Sequence, residues 1–309
     1  MTILTDNIPE NFPPCAVTIG CFDGVHRGHR YLIKQVKETA EKDNLKTVLI
    51  TFPVHPRQVM QSEYRPQLLS CPQQKTELIE SLDADYCVML PFTLELSQLS
   101  AFEFMKFLRD RFNMRALVIG HDHRFGHNRC EGFDDYIRYG EKLGVNIVHA
   151  KAFIDQNTPI SSSIIRNLLK KGDVEKANQY LGYAYFLNGT VVNGYKVGRK
   201  LGFPTANLLP SCPEKLIPHE GVYAVYVSVG TERFKGMLNI GHRPTVNNGN
   251  DLSIEVHILN FSGDIYQRQI RIELIHFIRE EKRFLNVDDL TSQLHKDRDL
   301  IEKLLPLPV

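Results

Sequence analysis

Neither sign of charge is in excess: 37 lysines and arginines stand against 36 aspartates and glutamates in 309 residues, a formal net charge of +1. Such a balance gives no basic field for nucleic acid or an anionic membrane surface, so neither is expected as a partner and small molecules are. Apolar runs of the roughly 20 residues that span a bilayer are also missing. The N-terminal MTILTDNIPENFPP has no basic start, apolar stretch or small-residue cleavage site of a secretory leader. A cytoplasmic protein is expected, with no obligate protein partner implied. The six cysteines include no Cys-x-x-Cys pair and are assigned no chemistry. Neither a Walker lysine–serine pair nor the protein-kinase motifs occur, so a kinase here must be of another design. No internal repeat or low-complexity tract is present.

What is there is enough for two cores. At 309 residues and 42% hydrophobic content, two domains are the prior. Up to about residue 182, short apolar runs at 16–19, 47–51, 86–90, 117–119 and 145–148 alternate with helical patterns at 30–42, 74–82, 101–112 and 133–143. That alternation predicts an α/β domain with a parallel sheet, its strands covered on both faces and its ligands at their carboxyl ends. Two capped helices, IIRNLLKK and VEKANQYL, close this half before Gly182. Beyond it, GVYAVYVSVG, RFKGMLNIG, LSIEVHILN and RQIRIELIHFI read as strands of a small antiparallel barrel, followed by an amphipathic helix at 287–305 packed against it. The predicted domains are 1–182 and 183–309.

The first strand runs through GCFDGVHRGH, residues 20–29, straight into a helix. Gly24 and Gly28 let a phosphate approach the backbone, and the helix N-terminus favours an anion. His26 and His29, three apart, meet on the first turn, where their imidazoles can donate to a triphosphate as its α-phosphorus is attacked. The ISSSIIR at 160–166 adds serine hydroxyls at a helix start and Arg166 one turn in. His121, His123, His127 and Cys130 match no common zinc spacing and are expected to form a ligand-facing loop instead. In the second half, GYKVGRKLGFPTANL at 194–208 crowds Gly194, Gly198 and Gly202 into one loop, with Thr205 and Asn207 as oxygen ligands for a magnesium ion bridging ATP phosphates. On LSIEVHIL, the residues Leu252, Ile254, Val256 and Ile258 are expected on one face and Ser253, Glu255 and His257 on the other. Glu255 is the candidate base, though a strand glutamate by itself is as readily a solvated one.

GCFDGVHRGH, the FPVHP at 52–56, the GHDHRFG at 120–126 and ISSSIIR resemble, in order, the four nucleotidyltransferase motifs of prokaryotic bifunctional riboflavin kinase/FAD synthetases. The first is also similar to the HIGH-type signature of a broader superfamily that includes class I aminoacyl-tRNA synthetases. GxxxGRxLGFPTAN followed by a strand carrying Glu-x-His resembles the riboflavin kinase domain, so the likeness covers nearly the whole chain. It implies phosphorylation of riboflavin to FMN by the second half and adenylylation of FMN to FAD, with release of pyrophosphate, by the first. ATP, Mg2+ and the flavins would be the cofactors and substrates. Carried over residue by residue, it implies ATP or phosphate contacts at Gly20, Phe22, Asp23, Gly24, His26, Gly28, His29, His55, Asp122, Ser162 and Arg166. In the second half it implies ATP or flavin contacts at Gly194, Gly198, Arg199, Gly202, Phe203, Pro204, Thr205 and Asn207, with Thr205 and Asn207 also at the metal and Glu255 as base. The barrel and last helix would hold the isoalloxazine, and the RPT at 243–245 and RFL at 283–285 also fit. One departure is His123, where many members carry an aromatic residue. The alternatives are a single-activity enzyme, or a protein that binds and senses ATP or flavin; an RNA-binding module is disfavoured by the neutral charge.

Overall fold

The computed structural model describes residues 1–5, 8–61, 63–121, 123–127, 130–155, 158–194, 197–242 and 252–307. By its contacts the chain forms two compact units, Met1–Ser162 and Ser163–Val309.

In the first unit, β1 (Thr2–Leu4), β2 (Cys15–Ile19), β3 (Lys46–Thr51), β4 (Tyr86–Met89), β5 (Met114–Ile119) and β6 (Asn146–His149) form a parallel sheet in the order β1-β4-β3-β2-β5-β6. Every residue of β2 is buried, as a strand covered by helices on both faces requires. The helices of the unit are α1 (Arg27–Lys42), α2 (Pro56–Met60), α3 (Pro72–Glu80), α4 (Leu94–Gln98), α5 (Ala101–Phe112) and α6 (Phe133–Leu143). Their limits follow capping chemistry. Ser100 and Glu103 close a reciprocal capping box at the start of α5, and Gly144, at φ +67°, ends α6 in the left-handed region. The predicted strands and helices are all present within a few residues. Unforeseen was β1, three residues that add an edge strand by pairing Thr2 with Tyr86. A two-stranded ribbon, β7 (Ile154–Asp155) and β8 (Thr158–Pro159), completes the unit.

The strand order places the function. The chain winds outward from β2 through β3 to β4 and then returns to lay β5 on the other side of β2. The switch point therefore lies between β2 and β5, where the crevice at the carboxyl ends of an open α/β sheet takes its ligand. Because the strands are parallel, the segments after β2, β3 and β5, which carry three of the motifs, emerge at that same edge.

In the second unit, α7 (Ser162–Lys170) and α8 (Val174–Leu181) lead into β9 (Phe186–Val192), α9 (Val197–Lys200), β10 (Ala206–Pro210), β11 (Gly221–Val229), β12 (Glu232–His242), β13 (Leu252–Ile258), β14 (Gln269–Arg279) and α10 (Val287–Leu304). The strands close an antiparallel barrel in the order β10-β13-β12-β11-β14-β9, two strands more than the four runs the sequence makes obvious. The units part at residue 162 rather than at the pattern change near 182 because α8 docks on β14. The Asn178 amide donates to the Leu274 carbonyl at 2.8 Å and accepts from the Tyr185 N–H at 2.7 Å.

The terminal helix covers one side of the barrel: Ile301 and Leu305 pack with Val222, Ala224, Tyr226 and Met237. Within that contact Arg279 donates to Asp297 at 2.9 and 2.7 Å, and Gln293 adds 2.7 Å to the other carboxylate oxygen. Asp297 is 2% exposed. Asp297→Ala leaves the partly exposed Arg279 guanidinium without its carboxylate and is expected to destabilise the barrel by about 1–3 kcal/mol, read as a fall in the denaturant midpoint of that unit.

Candidate functional site

Two sites emerge, one in each unit. The first begins where β2 ends. The Gly20 N–H still bonds to the Ile50 carbonyl at 3.0 Å, after which the chain turns through three positive φ values, Phe22 (47°), Gly24 (79°) and Val25 (38°). A β-branched residue in that region is strained, and strain of this kind persists only where its surroundings hold it. The holding groups are visible. Asp23, 5% exposed, accepts from the N–H groups of Leu69 and Ser70 at 3.1 and 2.9 Å, and the Gly24 N–H donates to the Ser70 hydroxyl at 2.8 Å. The Ser162 hydroxyl donates to the Asp23 carbonyl at 3.0 Å. The Asp23 carboxylate thus anchors the loop, and Asp23 also lines a small pocket with Cys21, Phe52, His55 and Lys75. Phe22, buried to 1% exposure, packs edge-on against the His29 ring at 5.3 Å.

His26 is the N-cap of α1: its Nδ1 accepts from the His29 N–H at 3.3 Å. That bond fixes the tautomer with the proton on Nε2. The two rings stack at 3.6 Å, with room because residue 28 is glycine; a Cβ there would lie 3.1 Å from the His26 ring. His29 is held well below the usual histidine range, first by burial, then by the charges of His26 and Lys75. Its Nδ1 is buried without a hydrogen-bond partner. A bare lone pair is less costly there than an orphaned N–H, so its proton also belongs on Nε2. Both imidazoles are thereby set as single donors.

The FPVHP segment follows β3. His55 caps α2, its Nδ1 accepting from the Arg57 N–H at 3.2 Å. Behind both segments stands Lys75 of α3, which the sequence does not single out. Its ammonium donates to the carbonyls of Cys21 and Phe52 at 3.2 and 2.7 Å and to the Thr51 hydroxyl at 3.1 Å. After β5, the His123 N–H closes a turn on the Gly120 carbonyl at 3.0 Å, and Phe125 stacks on Tyr136 at 4.4 Å. Asp122 lies outside the described residues. Arg166 stands four residues after Ser162 on α7, in the second unit.

The second site is assembled across the barrel wall. The register of β10 and β12 sets Asn207 and Asn239 on either side of Glu255 of β13. The Thr205 hydroxyl donates to Glu255 Oε2 at 3.2 Å and the Ser253 hydroxyl to Oε1 at 2.8 Å, so both carboxylate oxygens are oriented. Ser253, at 6% exposure, shares the expected face with Glu255, and its hydroxyl meets the carboxylate there. The preceding loop is close-packed. Phe203 N–H bonds to the Gly198 carbonyl at 2.9 Å, Gly202 takes φ +78°, and Phe203 is 3% exposed against His257 and His295. His257, lowered chiefly by burial, holds the Pro204 carbonyl at 2.8 Å. Arg199 is exposed. A Cβ on Gly194 would come within 2.1 Å of the Asn207 amide. Gly194→Ala is therefore expected to displace Asn207 and slow this site about a hundredfold, leaving reactions of the first unit unchanged in the same assay.

Two cavities flank Thr205. One of about 360 Å³ lies between the barrel and α10, with Phe203, Met237, Leu290 and Leu294 as apolar walls and Glu255 at its edge. The other, about 570 Å³, is bordered by Arg199, Ser262, Asp264 and Tyr266. Thr205 lines both. In the first, Asn239 donates to Glu281 at 3.3 Å, another pair the sequence does not announce. The RPT at 243–245 lies outside the described residues. Among the described residues no three His, Cys, Asp or Glu side chains gather as a metal cluster.

Comparison with known proteins agrees with this division. The FAD synthetase family model matches residues 8–164 and the riboflavin kinase model residues 181–305. A bifunctional riboflavin kinase/FMN adenylyltransferase of Listeria monocytogenes is 37% identical over 284 residues, covering 91% of this chain and 89% of its own. Its counterpart in Escherichia coli K12 is 34% identical over 285 residues, covering 92% and 90%. A solved structure from Streptococcus pneumoniae, described as a macrolide-efflux protein, matches with a TM-score of 0.89 and 27% identity over 98% of this chain and 99% of that one. No helix among the described residues here is long and apolar enough to cross a membrane.

Proposed function

Since the chain belongs to the bifunctional riboflavin kinase/FMN adenylyltransferase family, making FMN from riboflavin and FAD from FMN, we propose how its residues divide that work. Riboflavin lies in the 360 Å³ cavity, its ring system between the barrel and α10, and the triphosphate of ATP in the 570 Å³ cavity. The observation that carries this is Thr205, which borders both cavities and hydrogen-bonds Glu255. Glu255 takes the proton of the ribityl 5′-hydroxyl as the γ-phosphoryl moves to that oxygen. Ser253 and Thr205 keep the carboxylate aimed, and His257 holds the Pro204 carbonyl so that the loop keeps its shape.

Magnesium fits this site. Asn207, 6% exposed, and Thr205 offer two neutral oxygens beside one carboxylate, the sparse set expected when phosphates supply the remaining ligands. Bound there, the ion would neutralise charge on the transferring phosphoryl group. The test is the metal dependence of FMN formation: Asn207→Ala should need a much higher magnesium concentration for half-maximal rate, and an unchanged requirement would remove Asn207 from the metal.

In the first site, the FMN phosphate attacks the α-phosphorus of ATP and pyrophosphate leaves. His26 and His29 donate Nε2–H groups to the crowded phosphate oxygens, Ser162 adds a contact to the triphosphate, and Asp122 is assigned to the adenosine or flavin phosphate. Asp23 and Phe22 act by holding the loop. We assign residues 1–182 to adenylylation and 183–309 to phosphorylation, and place the protein in the cytoplasm.

A further inference from the structure

We propose that Lys75 is a positioning residue of adenylyl transfer: its buried ammonium locks the loop after β2 to the end of β3 and supplies a fixed positive charge behind the His26–His29 pair. This rests on reading the first site as the adenylyl-transfer site.

The geometry is specific. Lys75 is 7% exposed, and its three hydrogen bonds go to Cys21 O, Thr51 Oγ1 and Phe52 O. Three donated bonds match the three hydrogens of an ammonium, while burial pulls the group's pKa down. The acceptors are neutral oxygens. A buried cation hydrogen-bonded to neutral oxygens projects its field onto what lies nearby, Asp23 and His29 among them. Two of its acceptors belong to the motif segments themselves, Cys21 to the loop that ends at His26 and Phe52 to FPVHP. A third link, from the Thr51 hydroxyl to the Cys21 carbonyl at 3.3 Å, ties the same two segments.

The charge has a clear beneficiary. Protonating His26 on Nδ1 would remove the acceptor that caps α1, and two imidazolium rings stacked at 3.6 Å would repel. The site needs the pair neutral. The groups acting on His29 are His26, one turn before it, and Lys75 from α3, both lowering it. Those acting on Lys75 are Cys21, Asp23 and Cys87, all opposing the effect of burial. The same cation favours an anionic phosphate in front of the pair.

Lys75→Gln keeps hydrogen-bond donation without charge; Lys75→Met keeps length without either. Both are made in the full chain, and FAD formation from FMN and ATP is followed from about pH 5.5 to 9, with FMN formation from riboflavin as the control in the same preparations. Removing the cation lets His29 rise toward its usual range. The acid limb should therefore move up in both variants, the rate at neutral pH should fall about tenfold, and riboflavin phosphorylation should stay at the wild-type rate. A Lys75→Gln enzyme with an unshifted acid limb would overturn the proposal, leaving Lys75 a hydrogen-bonding strut; this variant decides even where Lys75→Met fails to fold. An unaltered chain that makes FMN but no FAD would overturn it differently, by removing the adenylyl-transfer reading beneath it.

Discussion

Glu255→Gln is expected to cut FMN formation from riboflavin by about a hundredfold to ten-thousandfold, the usual contribution of a positioned general base, while conversion of supplied FMN to FAD continues at the wild-type rate. The substitution is nearly isosteric, and the glutamine oxygen can still accept from Thr205 or Ser253, whose hydroxyls now hold the carboxylate at 3.2 and 2.8 Å. What is lost is the ability to take the proton. The expected signature is a fall in kcat with little change in the KM for riboflavin, since the apolar cavity between the barrel and α10 is untouched. Steady-state kinetics with each flavin as sole substrate reads both numbers. A Glu255→Gln enzyme of undiminished kcat would make this glutamate a structural partner of Thr205.

His29→Ala should do the converse. Loss of one preorganised donor at a developing phosphate charge costs about a hundredfold to a thousandfold, so FAD formation collapses while riboflavin is still phosphorylated. There is a companion effect on stability. His29 is depressed in the folded state, so the unfolded chain binds more protons once pH falls below the ordinary value of 6.5. The stability of the first unit is then lost progressively as pH drops below that value, and is fully present above it. His29→Ala should flatten this acid dependence in thermal unfolding measured across the same range.

Much of this was legible because parallel topology makes position predictable. The apolar runs at 16–19, 47–51 and 117–119 are buried parallel strands, and segments that follow such strands emerge at one edge of the sheet. His26 and His29 therefore needed only their spacing to be placed together. Glu255 was reachable for a similar reason, as period-two alternation put it on the face away from Ile254 and Val256. What stayed hidden depends on pairings distant in sequence. Lys75 reads as an ordinary charged residue of an amphipathic helix until α3 is brought against the ends of β2 and β3. Ser253 looked like one of several polar strand positions, yet its burial against Glu255 follows from barrel closure. Phe22 and Asp23 were expected to meet ATP because they sit inside a motif. In the structure Phe22 is also packed against His29 and Asp23 also holds two backbone N–H groups, a structural part that the motif alone does not announce. Likewise α8 carries caps that announce a helix but nothing that announces β14 as its neighbour.

The central claim is that one chain carries two separable sites, one for each reaction. The most direct test compares the flavins formed by the unaltered chain, Glu255→Gln and His29→Ala, each given ATP and magnesium with either riboflavin or FMN, separated chromatographically over time. The unaltered chain should turn riboflavin into FMN and then FAD, Glu255→Gln should make FAD only when FMN is supplied, and His29→Ala should stop at FMN. Loss of both steps in either variant, or of neither in both, would contradict the account.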